Sequence, residues 1–282
     1  MNAIEKRAVG LLILEVINSN PNGDPDRESD PRYRMDERGE ISPVSFKRKL
    51  RDLVENKKGP VWIEMKKMLG LGDEKFDILE SRGRDRNEIN QLSEEEFIAR
   101  YWDGRIFGNT FLESGGALPI KTGAVQFGMG ISLAPIQIER MTNTNKSGVQ
   151  EGKDRGMAPL AYRVVQHGVY AMPFFVNPSA AQKSGCTQKD IDLMLKLIPY
   201  AYSHNASYVR PQVEVRHAWY AQHKNALGSF SDQAFIEALT PKKKKNPDKP
   251  STCWEDYFPI PKDLPEDLKA KTEKFIDLIQ EM

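Results

Sequence analysis

The chain has 282 residues, with 41 Lys and Arg against 40 Asp and Glu, for a net charge of +1. That length suits one large domain, or one domain with insertions. The near-balance excludes a partner chosen by the charge of the whole chain, so a nucleic-acid binder of this kind has to gather its basic residues locally.

The two cysteines, Cys186 and Cys253, lie far apart and lack metal-ligand spacing. That fits a reducing cytoplasm and argues against a disulfide framework. At the start, MNAIEKRAVGLLILEV sets a basic pair before an apolar run of about nine residues, too short to span a membrane and followed by no small-residue cleavage site. It reads as a first strand over 8–17, central and buried on both faces, in a cytoplasmic protein with no membrane partner.

That strand ends in NSNPNGDPD, more polar turn formers than a turn requires. A polar loop runs to Glu40. In ISPVSFKRKLRDLVENKKG, Ser42 suits the cap, Pro43 the first helical position and Gly59 the stop. Val44, Leu50, Leu53 and Val54 give this helix an apolar side. Residues 60–112 read as a helical insertion. PVWIEMKKMLG is a short helix with Trp62, Met65 and Met68 or Leu69 on one face. A charged, mostly exposed stretch follows. SEEEFIARYW then carries Ser93 and Glu96 at capping-box spacing, with Phe97, Ile98, Tyr101 and Trp102 inward.

Residues 123–141 alternate in part and predict a long strand interrupted at Gly128 and Gly130. RMTNTNKSGVQEGKDRGM is a mobile loop or extended hairpin. Strand returns over 162–176, then a helix with Ile191, Leu195 and Ile198 on one stripe and Met194 beside it. A strand over 209–223 alternates around Val213, Val215 and Trp219. A Lys-rich loop, PKKKKNPDKP, leads to a final amphipathic helix with Leu268, Phe275, Ile276 and Ile279.

Without the insertions the order is β, α, β, β, α, β. That is the ferredoxin-like plan of class α+β, a four-stranded antiparallel sheet with two helices on one face. RNA-recognition domains use it, yet a fold does not fix a function.

Three constellations carry possible chemistry. In SFKRKLR, Lys47 and Arg51 sit at i and i+4 with Arg48 beside them, one turn inside a helix whose N-terminus favours an anion. They form either a phosphate site or a solvated basic face balanced by Asp52 and Glu55. From Arg140 to Met157, four basic residues (Arg140, Lys146, Lys153 and Arg155) outnumber Glu151 and Asp154. This is a plain loop or a functional projection, with Met157 able to wedge between bases. The acidic string Asp24, Asp26, Glu28 and Asp30 resembles metal ligands, but the EF-hand pattern fails at Ser29 and Met35, so Asx-turn chemistry is the simpler account. The four histidines (His167, His204, His217 and His223) are scattered and form no nucleophile–base pair. No catalytic residue, metal or cofactor is therefore expected.

The sequence resembles the CRISPR-associated backbone subunit of Cascade, in the RAMP superfamily, of the kind found in subtypes I-C and I-B. The motifs that carry the resemblance are NSNPNGDPD followed by PR and the SFKRKLR helix, YWDGRIFG over 101–108, and KTGAVQFGMGISLAPIQIERMT with HGVYAM beyond it. It spans nearly the whole chain and is weakest over 57–100.

The resemblance implies a single right-hand-shaped domain, 1–282. An RRM-like palm takes approximately 8–56, 113–139 and 160–224. A helical fingers insertion is 57–112, a thumb is 140–159, and a C-terminal tail and helix is 225–282. It implies a non-enzymatic subunit that lines up in several copies along a CRISPR RNA, beside other Cascade subunits. The subunit kinks the guide and leaves its bases to pair with complementary target DNA. The alternative is an RNA-processing endoribonuclease of the same superfamily.

In such a palm, Asn18, Ser19 and Asn20 offer donors to the RNA from a turn held by Pro21, Asn22 and Gly23. The acidic residues beyond them point away from RNA. Ser45, Lys47, Arg48 and Arg51 hold phosphates. Lys121, Thr122 and Gln126 flank the groove. Arg140, Lys146, Arg155 and Met157 belong to the thumb, and Arg163 and Arg210 are further contacts.

Overall fold

β1 (Ala8–Ser19) follows from the apolar run AVGLLIL, and every residue from Ala8 to Val16 is buried. A computed structural model describes residues 4–108, 122–146 and 157–280. β2 (Gly23–Asp24) and β3 (Asp30–Pro31) close a small ribbon after β1, and β4 (Arg38–Ile41) leads into α1 (Pro43–Glu55). The Ser42 hydroxyl accepts from the Ser45 N–H and caps α1, with Pro43 at its start. Phe46, Leu50, Leu53 and Val54 of α1 are buried, whereas Val44, expected on the apolar side, is 73% exposed.

The insertion holds α2 (Pro60–Leu69), α3 (Arg86–Gln91), α4 (Glu94–Arg100) and α5 (Trp102–Phe107). The capping box of Ser93 and Glu96 is formed in both directions. In α2 the inward residues are Val61, Trp62 and Met65, and Met68 is exposed. The charged stretch between α2 and α4 is less exposed than its composition suggests, because Phe76, Ile78, Leu79 and Ile89 are buried.

The stretch read as one interrupted strand is three strands: β5 (Val125–Phe127), β6 (Gly130–Pro135) and β7 (Ile138–Lys146). All three pair with β8 (Met157–Val176), a strand of 20 residues. α6 (Pro178–Ser184), α7 (Gln188–Leu197), β9 (Val213–His223) and α8 (Asp232–Leu239) follow. The final helix is corrected. α9 (Glu266–Lys269) is one turn long, and β10 (Thr272–Asp277) pairs antiparallel with β9. Phe275 and Ile276 are adjacent because they serve opposite faces of an edge strand; a short apolar run does not distinguish that from a helical stripe.

The main sheet is antiparallel and has eight strands rather than four. Its path is β10-β9-β1-β8-β6-β4, with β5 and β7 also on β8. Ala8, Leu12, Leu14 and Val16 of β1 face a core shared with α1, α2, α5 and α7. Val9, Leu11 and Ile13 face a second core under α8, Tyr257, Leu264 and Leu268. Both faces are thus covered, which explains why β1 reads as an unbroken apolar run. Gly10 lies opposite Phe174, and a Cβ there would fall 2.1 Å from the Phe174 ring. No helix among the described residues is long and apolar enough to cross a membrane.

Candidate nucleic-acid interface

The turn after β1 is tied down from several sides. The Asn22 side-chain oxygen accepts from the Ser42 N–H at 2.8 Å, joining the turn to the helix cap. The Asn20 amide donates to the Ser29 carbonyl at 2.9 Å, and the Asn20 carbonyl accepts from the Arg210 guanidinium at 2.8 Å. The Ser19 hydroxyl accepts from the Gln212 N–H at 2.9 Å. Ser19 and Asn20 are therefore buried scaffold residues, and only Asn18, at φ 43°, is exposed. The surplus of turn formers serves this tethering: each short polar side chain satisfies backbone groups that a strand end leaves open.

Beside the turn lies an open cleft of about 450 Å³ at the start of α1. Asn22, Ser42, Val44 and Ser45 form one side, and Arg48, Lys49, Arg51, Glu80 and Arg210 the rest. The cleft gathers Ser45, Arg48, Arg51 and Arg210 from the predicted set.

Their states differ. Arg48 donates to Asp52 at 2.6 Å and also to Glu55 and the Glu80 carbonyl, so the balanced-face reading describes it well. Arg51 is 8% exposed and paired with Asp103 at 2.8 Å, while Asp103 also accepts from the N–H groups of Leu79 and Glu80. Arg51 is a structural tie between α1 and α5 more than a free phosphate partner.

Lys47 and Lys49 are different. Neither is in an ion pair among the described residues, although the Asp52 carboxylate lies near enough to Lys49 to act on it. Burial, and then the charge of Arg51, push the Lys47 ammonium down to about 8; its Nζ sits 5.3 Å from the centre of the Phe107 ring. Burial, and then the neighbouring Arg210, also push Lys49 down, against an opposing pull from Asp52. Half-buried like charges crowded together are unfavourable, and an added anion relieves them.

Lys49 was missed by the Lys47–Arg51 spacing. The available signal was its own i, i+4 relation to Ser45, on the face that continues from the cap.

The second feature is the ribbon of β7 and β8. The last β1–β8 pair joins Ser19 to Val165. Beyond it, among the described residues, β8 pairs only with β7, from Ile138↔Val165 to Lys146↔Met157. At ~3.4 Å per residue this two-stranded extension runs roughly 27 Å past the end of β1. Arg140 and Arg163 stand directly opposite each other in it. Arg163 is bonded to the carbonyl and carboxylate of Glu28 and to Asp30, and Arg140 reaches Asp30 at 3.2 Å. Glu28 and Asp30 therefore face the ribbon, and Arg163 is not an open contact.

Lys146 and Met157 are placed by backbone register only. Lys121 and Arg155 lie outside the described residues. Thr122 forms an isolated bridge with Gly108, and the exposed Gln126 donates to the Gly123 carbonyl at 3.2 Å; neither reaches the cleft lining. Near the ribbon base, Tyr162 packs edge-on against Tyr208, with ring centres 5.2 Å apart. Sequence reading passed over this aromatic pair.

One polar cluster has the residue types of a hydrolase. His167 meets Ser251 at 2.8 Å and Glu15 at 3.1 Å. Both ring nitrogens are taken, all three side chains are buried under the C-terminal segment, and Arg216 and Tyr257 complete the cluster. It fastens that segment to the sheet.

A family model described as CRISPR-associated protein Cas7 matches residues 6–261. None of the curated proteins compared matches the chain. A solved structure titled "CRISPR RNA-guided surveillance complex, pre-nicking" is similar over 83% of this chain and 83% of that chain, at 16% identity and a TM-score of 0.50. Another, titled "CRISPR RNA-guided surveillance complex", is 18% identical over 83% of this chain and 75% of its own, with a TM-score of 0.47. At such identity the first shows a shared fold.

Proposed function

The chain belongs to the CRISPR-associated Cas7 family, and from that premise we propose that it is a CRISPR RNA-binding filament subunit of a type I Cascade surveillance complex. Several copies line the guide beside other Cascade subunits, in the cytoplasm. They grip its backbone and leave the bases free to pair with target DNA, so that pairing reads the sequence. The role is architectural rather than catalytic.

One observation carries this reading: Lys49 lines the cleft at the capped start of α1 beside Arg210, Lys47 on the same helix is crowded by Arg51, and neither is in an ion pair among the described residues. A backbone phosphate supplies the missing negative charge, and the N–H groups of the first helical turn add to it. The palm of this reading is β9-β1-β8-β6 with α1 and α7, ferredoxin-like in strand order. The fingers are the insertion through α5, and the thumb is the β7–β8 ribbon with the chain that joins its strands. Arg140, Lys146, Arg155 and Met157 act from the thumb to kink the guide. Asn18, Lys121, Thr122 and Gln126 lie along its path, and Tyr208 offers a ring on which a base can stack.

The test is assembly on guides of two lengths, sized in solution. The subunit count should rise with guide length, and an unchanged count overturns the reading.

A further inference from the structure

The acidic string Asp24, Asp26, Glu28 and Asp30 takes no part in the cleft. β2 and β3 pair through Gly23↔Pro31 and Asp24↔Asp30, and the turn between them carries Glu28 at φ 50° and Ser29 at φ 66°. Two successive left-handed residues that are neither Gly nor Asn are costly, and such backbone persists only where its surroundings hold it. Here the Ser29 N–H donates to the Asp24 carbonyl at 2.8 Å, and the Ser29 carbonyl accepts from Asn20. The conformation points Glu28 and Asp30 at the ribbon.

The ribbon needs them there. Arg140 and Arg163 are direct cross-strand partners, and like charges in that relation repel. The Asp30 carboxylate takes Arg163 at 2.9 Å and Arg140 at 3.2 Å, bridging the pair. Glu28 adds its carboxylate and its carbonyl to Arg163, the latter at 2.6 Å. Past Val165 no third strand among the described residues fixes the ribbon's direction, and two-stranded ribbons twist more freely than sheets. A single exposed ion pair would hold it weakly; a shared network with charge-assisted bonds holds better.

We propose that the Glu28–Asp30 turn is a brace that sets the direction in which the β7–β8 ribbon leaves the sheet. Glu28 and Asp30 are positioning residues that act on RNA through Arg140 and Arg163. The effect on RNA rests on the filament reading above; the brace itself does not. Arg163 holds the Glu28 carboxyl below its usual range, so the brace is charged at neutral pH.

The experiment places spin labels at Thr142 in the ribbon and Lys224 beyond β9, in a Cys253→Ser background, and measures the distance distribution by pulsed dipolar spectroscopy. Glu28→Gln with Asp30→Asn should broaden it, while thermal unfolding stays close to that of the parent. Asp26→Asn, in the same turn but off the arginines, should leave it narrow. Affinity for single-stranded RNA should fall several-fold in the double variant, although removing two negative charges favours RNA electrostatically. A narrow distribution in the double variant, or an affinity that rises with its added charge, overturns the proposal. If the parent binds no RNA, the filament reading fails and the distance measurement still decides the brace.

Discussion

α5 and the cleft at α1 hold charge in opposite ways. In α5, Asp103 pairs with Arg51 at 2.8 Å and accepts two backbone N–H groups. Arg105 pairs with Asp190 at 2.7 Å and donates to the carbonyls of Lys75, Ile98 and Ala99. Every charge is matched and buried, and the helix is clamped between α1 and α7. Along α1 at the cleft, Lys47 and Lys49 have cationic neighbours and no ion pair among the described residues, and Asp52 only partly offsets the crowding at Lys49. Matched charge builds the frame, and unmatched charge waits for a partner. Both regions draw on SFKRKLR, so one heptapeptide does both jobs through different faces.

The contrast breaks most visibly in the frame. Asp103→Ala leaves Arg51 buried without its partner and should cost about 3–5 kcal/mol, lowering the melting temperature by roughly 6–20 °C. Calorimetry measures it, and a loss below about 1 kcal/mol would mean that the pair is not a clamp. Arg51→Ala should behave likewise, so any RNA-binding defect in it reports unfolding.

In the cleft the expected effect is on RNA and not on stability. Lys49→Ala should weaken single-stranded RNA binding whatever the sequence. The salt dependence should lose about 0.7 in slope, and about 1.4 when Arg210→Ala is added. Titrations at several salt concentrations measure both. A parental slope in the double variant removes the cleft from the RNA path.

The subtlest effect is in pH. Lys47 gives up its proton near 8 in the free fold, against an ordinary value of 10.5. A bound phosphate favours the charged form, so RNA affinity should decline as pH rises from 7 to 9.5, and Lys47→Arg should flatten that decline. Folding has the opposite sign. The unfolded chain keeps this proton to higher pH, so Lys47 makes the fold more stable as pH climbs from about 8 toward 10.5. Parallel pH trends for binding and stability would contradict the assignment.

Much of the frame was legible because local signals agreed with tertiary demand. The apolar run of β1, the Ser42–Pro43 start of α1 and the Ser93–Glu96 capping box all formed as read. The site was legible as a segment but not residue by residue. Arg48 and Arg51 carry the same charge as Lys49; Asp52 and Glu55 were legible as the balance to Arg48, but only the fold puts Asp103 beside Arg51. Ser19 and Asn20 look like donors to a ligand until Gln212 and Ser29 are seen to occupy them. β10 was misread because its spacing suits a helix as well as a strand that feeds two cores.

The central place of β1 also has a consequence for synthesis. Its ladder partners are β8, beginning at Val165 opposite Ser19, and β9. On a ribosome adding ~5–20 residues per second, the apolar strand emerges roughly 7–30 s before β8 can pair with it. During that interval the most hydrophobic segment of the sheet exposes both edges and both faces, so this fold begins life as a client of whatever shields nascent chains, and the second half of the sequence releases it.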